Sequence, residues 1–267
     1  MNHFAYTVNC SILLTDLPLL ERPQAARDAG FDSVEFWWPF DTAVPADRDV
    51  DAFVRAIDDA GVALTGLNFA AGDMPAGDRG LLSNPAAVSE FRDNIDITVG
   101  IGKRLGTKGF NALYGNRIEG IERAEQDEIA AENLAEAARA AERIGGVVLV
   151  EPVSGAPAYP LKLARDVVAV IESVESRSGV TNLRLLADLY HLQVNGDDVG
   201  GALDTYAARI GHVQIADAPG RGEPGTGDLD LRRYLKQLAA NGYDGSISLE
   251  YKATRPDTFD WLPAFTA

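Results

Sequence analysis

Short apolar runs alternate with longer segments of helical spacing along the whole chain. The apolar runs are typical of strands, and the longer segments, with apolar residues three and four positions apart, are typical of amphipathic helices. Strands are predicted at residues 4–8, 33–37, 63–68, 108–113, 147–151, 183–188, 212–215 and 246–250. Helices are predicted between them, at residues 17–29, 50–60, 85–105, 125–144, 161–174, 200–208 and 229–240.

Polar and glycine residues stand at the ends of these helices. Helix starts are indicated by residues whose side chains commonly cap the first turn, namely Asp49, Ser83 and Asn84. Helix ends are indicated by the glycines that follow the last apolar position, namely Gly30, Gly61, Gly106 and Gly242.

Regular alternation of strand and helix predicts a parallel sheet in an α/β fold. The strands are almost continuously apolar, as in VVLV at 147–150, which indicates burial on both faces. A length of 267 residues suits one (β/α)8 TIM-barrel domain spanning residues 1–267. A doubly wound open sheet is the alternative, but no glycine fingerprint for a dinucleotide follows the first strand.

The chain is strongly acidic, with 40 Asp and Glu against 24 Lys and Arg, for a net charge of −16. Such a field repels nucleic-acid phosphates and anionic lipid, so we expect neither nucleic acid nor membrane as a partner. An anionic substrate would need positive groups placed locally.

A single cysteine, Cys10, excludes an intrachain disulfide and fits a reducing compartment. No basic microenvironment is evident around it, so we expect inert packing rather than a nucleophile. The N-terminal residues MNHFAYTVNC do not have the pattern of a signal peptide, and no apolar stretch is long enough to cross a membrane. We therefore expect a cytoplasmic protein.

Oxygen-bearing side chains stand near the ends of seven predicted strands: Glu35, Asn68, Asn111, Glu151, Asp188, Gln214 and Glu250. In a closed barrel the carboxyl ends of the strands converge on one mouth, where active sites of this fold lie. Carboxylates that converge there repel each other, and a divalent cation would relieve the repulsion. Oxygen ligands favour a hard ion such as Mg2+ or Mn2+. The alternative is that these side chains hydrogen-bond to loop backbones.

The histidines allow several interpretations. His191, three residues after Asp188, either polarises a substrate oxygen or is a hydrogen-bonded loop residue. His212, inside the seventh strand, is expected to be a satisfied core histidine, and the terminal His3 is expected to have no role.

Two features lie beside the expected mouth. Arg221, in the loop GRGEPGTGD, either clamps a carboxylate through paired hydrogen bonds or forms a surface ion pair. The aromatic residues Trp37, Trp38 and Phe40 either roof the pocket or pack at the barrel rim.

Several stretches resemble the hydroxypyruvate isomerase family of the xylose isomerase-like barrels: GFDSVEF (30–36), GDMPAGDRG (72–80), VEP (150–152), DLYHLQ (188–193), HVQIADAPGRGEPGTGD (212–228) and LEYK (249–252). Two departures stand out. The family's asparagine after the strand 5 glutamate is replaced by Ser154, and its proline-glycine-tyrosine is altered in APAYP at 156–160.

The resemblance implies roles for individual residues. Glu151 and Glu250 would be the paired acid/base glutamates, and with Asp188 and Gln214 they would form the metal site. His191 and Arg221 would bind the substrate. We expect Asn68 and Glu35, at the ends of strands 3 and 2, to contact the substrate as well.

The implied reaction interconverts hydroxypyruvate and tartronate semialdehyde through a shared enediol. A 2-oxo-tetronate isomerase or a ketose 3-epimerase of the same superfamily is the nearest alternative, and the substrate is in each case a small hydroxy-keto acid or sugar. A metal-dependent DNA-repair endonuclease would need several histidine ligands and a basic groove, and three histidines with a net charge of −16 argue against that class. A binding protein without turnover would not need both glutamates, so the presence of Glu151 and Glu250 argues against that class. The family also implies a possible homo-oligomer.

Overall fold

In the computed structural model of this chain, which describes residues 4–266, the apolar runs form parallel strands of a closed barrel. The strands are β1 Tyr6–Asn9, β2 Ser33–Phe36, β3 Ala63–Asn68, β4 Gly109–Asn111, β5 Val147–Val150, β6 Leu183–Asp188, β7 Ile210–Ile215 and β8 Ile247–Leu249. The barrel closes because β1 pairs with β8 as well as with β2, placing Val8 opposite Leu249. The TIM-barrel prediction is confirmed, and the open-sheet alternative is excluded.

Helices connect the strands over the outside of the barrel. Within residues 4–266 they are α1 Arg22–Asp28, α2 Asp47–Ala60, α3 Val88–Leu105, α4 Arg123–Glu142, α5 Ala164–Ser178, α6 Leu189–Val194, α7 Val199–Thr205, α8 Leu231–Ala240 and α9 Leu262–Thr266. Short 3-10 turns lie at Leu19–Glu21, Pro85–Ala87 and Ala207–Arg209. The sequence patterns did not predict α6 and α9, which are too short to show a helical period.

Burial follows the predicted pattern on both sides of the sheet. Strand side chains such as Phe110 and Val148 have no exposed surface. The helices cover the outer face with their apolar stripes, and the ring of Phe53 on α2 lies edge-on to Phe36 on β2 at a centroid distance of 5.1 Å. A core continuous over both faces of the strands fixes the strand ends, and therefore the mouth, as one rigid frame.

Two boundaries differ from the prediction in ways that matter. The first strand runs to Asn9 rather than ending at residue 8, so another polar side chain reaches the mouth. Helix α2 begins at Asp47 after Ala46, so the prediction of Asp49 as its cap is wrong; Asp49 lies in the first turn, where its charge favours the positive end of the helix.

Most of the other residues predicted to start or end helices occupy the expected positions. Asn84 accepts a hydrogen bond from the Ala86 backbone and caps its turn, whereas Ser83 does not. Gly61 and Gly106 take the left-handed conformation at the ends of α2 and α3. His3 lies outside the described residues. No helix in the part of the chain that the structure describes is long and apolar enough to cross a membrane.

Two glycines in the loop between β3 and α3 form a natural comparison. Gly77 and Gly80 have φ angles of 114° and 111°. A Cβ at Gly77 would meet nothing within 4 Å, whereas a Cβ at Gly80 would lie 1.9 Å from the backbone oxygen of Leu113.

We expect Gly77→Ala to lower the free energy of unfolding by about 1–3 kcal/mol, because alanine strains this backbone conformation. Gly80→Ala should cost about 1–3 kcal/mol more, because the loop backbone must also move away from Leu113. Urea unfolding followed by circular dichroism measures both variants. Equal losses would show that the clash at Gly80 is relieved without cost.

Candidate active site

A cavity of about 660 Å³ opens at the carboxyl ends of the strands, at the mouth of the barrel. Its lining combines the predicted site residues with the loops above them: Asn68, Arg79, Glu151, Ser154, Tyr190, His191, Arg221, Glu250 and Lys252 are among its walls. A larger cavity of about 1030 Å³ adjoins it across Ser11, Trp37, Met74 and Pro75. The larger cavity lacks the converging carboxylates, so the candidate site is the smaller one.

Two carboxylates line this cavity, and a third, from Asp188, lies within 4.8 Å of Glu151. Asp188 is the last residue of β6, and Glu151 and Glu250 directly follow β5 and β8. Their exposed fractions are 0%, 5% and 3%, so each is withdrawn almost completely from water. Burial of like charges side by side is costly unless protons, cations or hydrogen bonds compensate it.

Neighbouring side chains hold the two glutamates. The Asn111 amide donates to Oε2 of Glu151 at 2.8 Å. The indole of Trp37 and the amide of Asn9 donate to Oε1 of Glu250 at 2.5 and 3.3 Å. One oxygen of each glutamate is thereby fixed by hydrogen bonds, and the other makes no hydrogen bond of this kind.

The two carboxylate oxygens of Asp188 have different surroundings. Its Oδ1 accepts from the backbone N–H groups of Tyr190 and His191 at 2.8 and 3.2 Å, which caps helix α6. Its Oδ2 has no hydrogen-bond partner. The cap turns the chain immediately after β6 and carries His191 back over the mouth.

The hydrogen bonds of His191 fix its tautomer. The backbone N–H of Ser154 donates to Nδ1 at 3.0 Å, so Nδ1 carries no proton, and the Ser154 hydroxyl lies 2.7 Å from the same nitrogen. Burial lowers the pKa of His191 to about 4, so the ring is neutral and its proton is on Nε2. Nε2 lies 3.5 Å from Asp188 Oδ2 and 3.7 Å from Glu151 Oε1. His191 therefore presents a neutral N–H donor to the cavity.

Arg221 supplies the positive charge nearest to the carboxylates. Its Nη2 lies 3.2 Å from Glu250 Oε2 and 3.9 Å from Asp188 Oδ2. Its Nε donates to the backbone oxygen of Glu250 at 3.3 Å, and its guanidinium stands 5.3 Å from the Tyr190 ring centre. It is thus a buried member of the site rather than a surface ion pair.

The proton affinities of the two glutamates are unusual. Burial, and then the charge of Asp188, raise the pKa of Glu151 to about 8. Burial also raises the pKa of Glu250 well above its usual value, although Arg221 opposes the shift. Carboxyl groups that hold protons near neutral pH are suited to general acid and base chemistry.

The donor set fits a divalent metal. Three buried side-chain oxygens at these strand ends have no hydrogen-bond partner: Asp188 Oδ2, Gln214 Oε1 and Glu250 Oε2. The last of them lies 3.2 Å from the Arg221 guanidinium. Ligand atoms of Glu151, Asp188 and His191 also lie within 4.8 Å of one another, so this group could hold an ion. His191 is the weakest member of that group, because its Nε2 carries the proton that the Ser154 contact excludes from Nδ1.

Two other predicted contact residues differ in placement. Asn68, the last residue of β3, lines the cavity. Glu35 lies below it, with its oxygens on His212 Nε2 at 2.7 Å and Gln214 Nε2 at 2.6 Å. The prediction that Glu35 contacts substrate does not match this position. His212 is buried and hydrogen-bonded, as expected for a core histidine.

Sequence reasoning missed three contributors. Asn9 was excluded by ending the first strand one residue early, and Trp37 was considered only as an apolar wall. Ser154 was noted as a departure from the family, yet it positions His191. All three residues lie at or shortly after the carboxyl end of a strand, and this position is the sequence signal that could have identified them.

The chain was compared with known proteins. The family described as "Xylose isomerase-like TIM barrel" matches residues 23–265. A protein of Streptomyces coelicolor named "Putative hydroxypyruvate isomerase" is 53% identical over 97% of this chain and 95% of its own length. "Hydroxypyruvate isomerase" of Escherichia coli is 31% identical over 92% and 93% of the two chains. "2-oxo-tetronate isomerase" of Cupriavidus necator is 34% identical over 92% of each.

A solved structure of similar fold is that of a protein named "AP endonuclease, family 2" from Brucella melitensis. It superimposes with a TM-score of 0.88 at 29% identity, over 98% of this chain and 99% of that one.

The raised pKa of Glu151 has a consequence for stability. In protein stripped of divalent metal, the folded state keeps the Glu151 proton from the usual pKa of 4.5 up to about 8, while the unfolded state has lost it. The contribution of this residue to the free energy of unfolding is therefore full below pH 4.5 and falls as the pH rises to about 8. One proton gives at most about 1.4 kcal/mol per pH unit.

We expect Glu151→Gln to flatten the pH dependence of unfolding between about pH 5 and 8, measured by urea unfolding with a chelator present. Glu223→Gln is the matched control, because hydrogen bonds from Thr254 keep the pKa of this other buried glutamate below its usual value despite its burial. An unchanged slope in Glu151→Gln would place the retained proton elsewhere.

Proposed function

Because this chain belongs to the hydroxypyruvate isomerase family within the xylose isomerase-like TIM barrels, we propose that it interconverts hydroxypyruvate and tartronate semialdehyde through an enediol. The observation that carries the proposal is the pair of buried glutamates, Glu151 and Glu250, which face one cavity with raised pKa values. The identity of 53% with a relative bearing the hydroxypyruvate isomerase name supports the substrate.

The reaction moves a proton between neighbouring carbons. One glutamate removes the proton from the hydroxyl-bearing carbon, which gives an enediolate, and a proton on the former carbonyl oxygen makes it the enediol. The other glutamate delivers a proton to the adjacent carbon, and loss of the original hydroxyl proton leaves the new carbonyl of the isomeric product. Each positioned group of this kind contributes about 100- to 10,000-fold to the rate. A carboxyl with a pKa of about 8 in the metal-free site holds and releases a proton close to neutral pH.

A single divalent ion, Mg2+ or Mn2+, is proposed at Glu151, Asp188, Gln214 and Glu250. The oxygens of Asp188, Gln214 and Glu250 that make no hydrogen bond support this ligand set. When bound, the ion supplies positive charge that stabilises the developing enediolate. Hard ions of this kind prefer oxygen ligands, which every member of the set offers.

The remaining cavity residues orient the substrate. His191 donates from Nε2 to a substrate oxygen, since burial keeps the ring neutral. The amide of Asn68 lies on the same cavity and offers a further polar contact. Arg221 holds Glu250 and also directs its guanidinium toward the substrate carboxylate, for which a forked donor is well shaped.

Related reactions are the alternatives. A 2-oxo-tetronate or a ketose would undergo a similar proton transfer at the same glutamates, and one relative carries the 2-oxo-tetronate isomerase name. An endonuclease, the activity for which the Brucella melitensis protein is named, would place nucleic acid over the mouth. Buried carboxylates and a net charge of −16 oppose that polyanion. Location in the cytoplasm and assembly into a homo-oligomer complete the proposal.

The glutamate pair gives the decisive test. We expect Glu151→Gln and Glu250→Gln each to lower turnover by at least about 100-fold, because each removes a proton-transfer group. Exchange of substrate carbon-bound protons with deuterated solvent, followed by NMR, should be lost with turnover. The circular dichroism spectra should match that of the wild type, since the amide keeps the size of the side chain.

The substrates for this assay are hydroxypyruvate, a 2-oxo-tetronate and a neutral ketose, each with added Mn2+. Highest efficiency with hydroxypyruvate supports the proposal, and highest efficiency with another member of the panel replaces the substrate. Near-normal turnover in either glutamine variant would refute the acid/base pair.

Arg221 is tested by a change that keeps its charge. We expect Arg221→Lys to lower kcat/KM for hydroxypyruvate by about ten- to a hundred-fold, because lysine loses the fork of donors. The loss should be smaller with a neutral ketose that the enzyme accepts. Equal losses on both substrates would show that Arg221 acts through Glu250, its partner at 3.2 Å, rather than through the substrate carboxylate.

A further inference from the structure

Glu35 is a fully enclosed carboxylate directly below the mouth. It is 4% exposed, and it comes from β2, on the opposite side of the barrel from β6 and β7. Its Oε1 accepts from the amides of Asn9 at 2.9 Å and Gln214 at 2.6 Å, and its Oε2 lies 2.7 Å from Nε2 of His212. Both oxygens are therefore used by the protein.

The pairing of β2 with β3 leaves space for the Glu35 side chain. The pairing of β2 with β3 shifts by one residue between Val34 and Glu35, so that Glu35 faces Gly66. A Cβ at Gly66 would lie 3.0 Å from Glu35 Oε2, tighter than most real contacts. The surrounding nitrogens of Asn9, Gln214 and His212 all lie within 2.9 Å of its oxygens. Glu35 is therefore the acceptor for both neighbouring amides.

The amide of Gln214 has two unlike ends, and Glu35 determines where each points. A carboxylate can only accept, so the NH2 group of Gln214 must face Glu35. The amide oxygen consequently points the other way, where it is buried and has no hydrogen-bond partner. Gln214 lies opposite Asp188 in the pairing of β6 with β7, and Asp188 Oδ2 has no hydrogen-bond partner either.

Without an acceptor at residue 35, we expect the Gln214 amide group to rotate and exchange its nitrogen and oxygen. Its buried NH2 group would lose its partner, which is costly. Asp188 Oδ2, which has no hydrogen-bond partner, is the alternative acceptor beside it. A turned amide would direct N–H groups at a place where a cation needs oxygen.

We propose that Glu35 is a positioning residue that locks the amide oxygen of Gln214 toward the mouth and so completes the divalent metal site. The inference rests on the metal site of the proposed function. It gives Glu35 a role through Gln214, with no contact to the substrate. Partners that orient a metal ligand in this way commonly change metal affinity by about 10- to 100-fold.

The test compares two replacements of similar length. Glu35→Met removes the acceptor. Glu35→Gln keeps it, because the oxygen of the new amide can still accept from Asn9 and Gln214. Its NH2 group faces His212 Nε2, to which it donates when the neutral ring carries its proton on Nδ1 instead. The pair separates loss of the acceptor from loss of the charge.

Mn2+ binding to the metal-stripped proteins is measured by isothermal titration calorimetry. Glu35→Met should bind about 10- to 100-fold more weakly than the wild type, and Glu35→Gln within a few-fold of it. The Mn2+ concentration for half-maximal isomerase activity should rise in parallel in Glu35→Met. At saturating Mn2+ its kcat should return to within a few-fold of normal, which a general loss of structure would not allow.

A second measurement does not depend on the folding of any variant. A crystal structure of the wild-type protein with Mn2+ should show the Gln214 oxygen on the ion at roughly 2.0–2.4 Å and its nitrogen on Glu35. Equal Mn2+ affinity in Glu35→Met and the wild type, or a Gln214 amide turned the other way, would overturn the inference.

The outcomes separate this inference from the proposed function. A wild-type protein that isomerises hydroxypyruvate but binds no Mn2+ overturns the role of Glu35 while the isomerase proposal stands. A wild-type protein that binds Mn2+ with the predicted dependence on Glu35, yet isomerises no substrate of the panel, supports the role and overturns the activity.

Discussion

The burial of three carboxylates at one barrel mouth is the constraint on which the rest of the site depends. Asp188, Glu151 and Glu250 are each at most 5% exposed, so water cannot offset their mutual repulsion. The protein compensates in part through Arg221 and through protons retained at raised pKa values. The closed barrel supplies the stability that keeps such groups together, because its strands are packed on both faces and cannot move apart to relieve the repulsion.

Buried carboxylates in this protein fall into two kinds that differ in their partners rather than in their burial. Both oxygens of Glu35 lie within 2.9 Å of nitrogens on Asn9, Gln214 and His212, and its pKa lies below the usual value despite burial. Glu151 and Glu250 each have one oxygen held by hydrogen bonds, and their pKa values are raised. Oε2 of Glu250 makes no hydrogen bond and lies 3.2 Å from the Arg221 guanidinium. Hydrogen bonds at both oxygens indicate a carboxylate that supports the structure around it, and an oxygen without one indicates a carboxylate available to a ligand.

The sequence allowed prediction of the strand order, the fold and the group of strand-end residues, because strand period and barrel closure together dictate where the carboxyl ends lie. Directions of side chains could not be predicted in the same way. A register shift beside Glu35 turns it below the mouth, and a strand one residue longer than predicted brings in Asn9. The position of His191 depends on a helix of six residues, Leu189–Val194, capped by Asp188. These features depend on one register shift, one strand end and one helix cap, and single events of this kind leave no periodic signal.

The anionic substrate proposed for this acidic protein raises an electrostatic problem, and the composition of the mouth offers a solution. Three carboxylates repel an anion, but one guanidinium and one divalent ion together carry the opposite charge, so the metal-loaded mouth would be close to neutral. Lys252 and Arg79 on the cavity wall add positive charge where the substrate enters. Most remaining carboxylates lie on the outer surface, and charges there are screened over about 8 Å at physiological ionic strength. The net charge of −16 therefore says little about the potential that a substrate meets inside the barrel. That potential is set by the few groups at the mouth, and above all by whether the ion is bound.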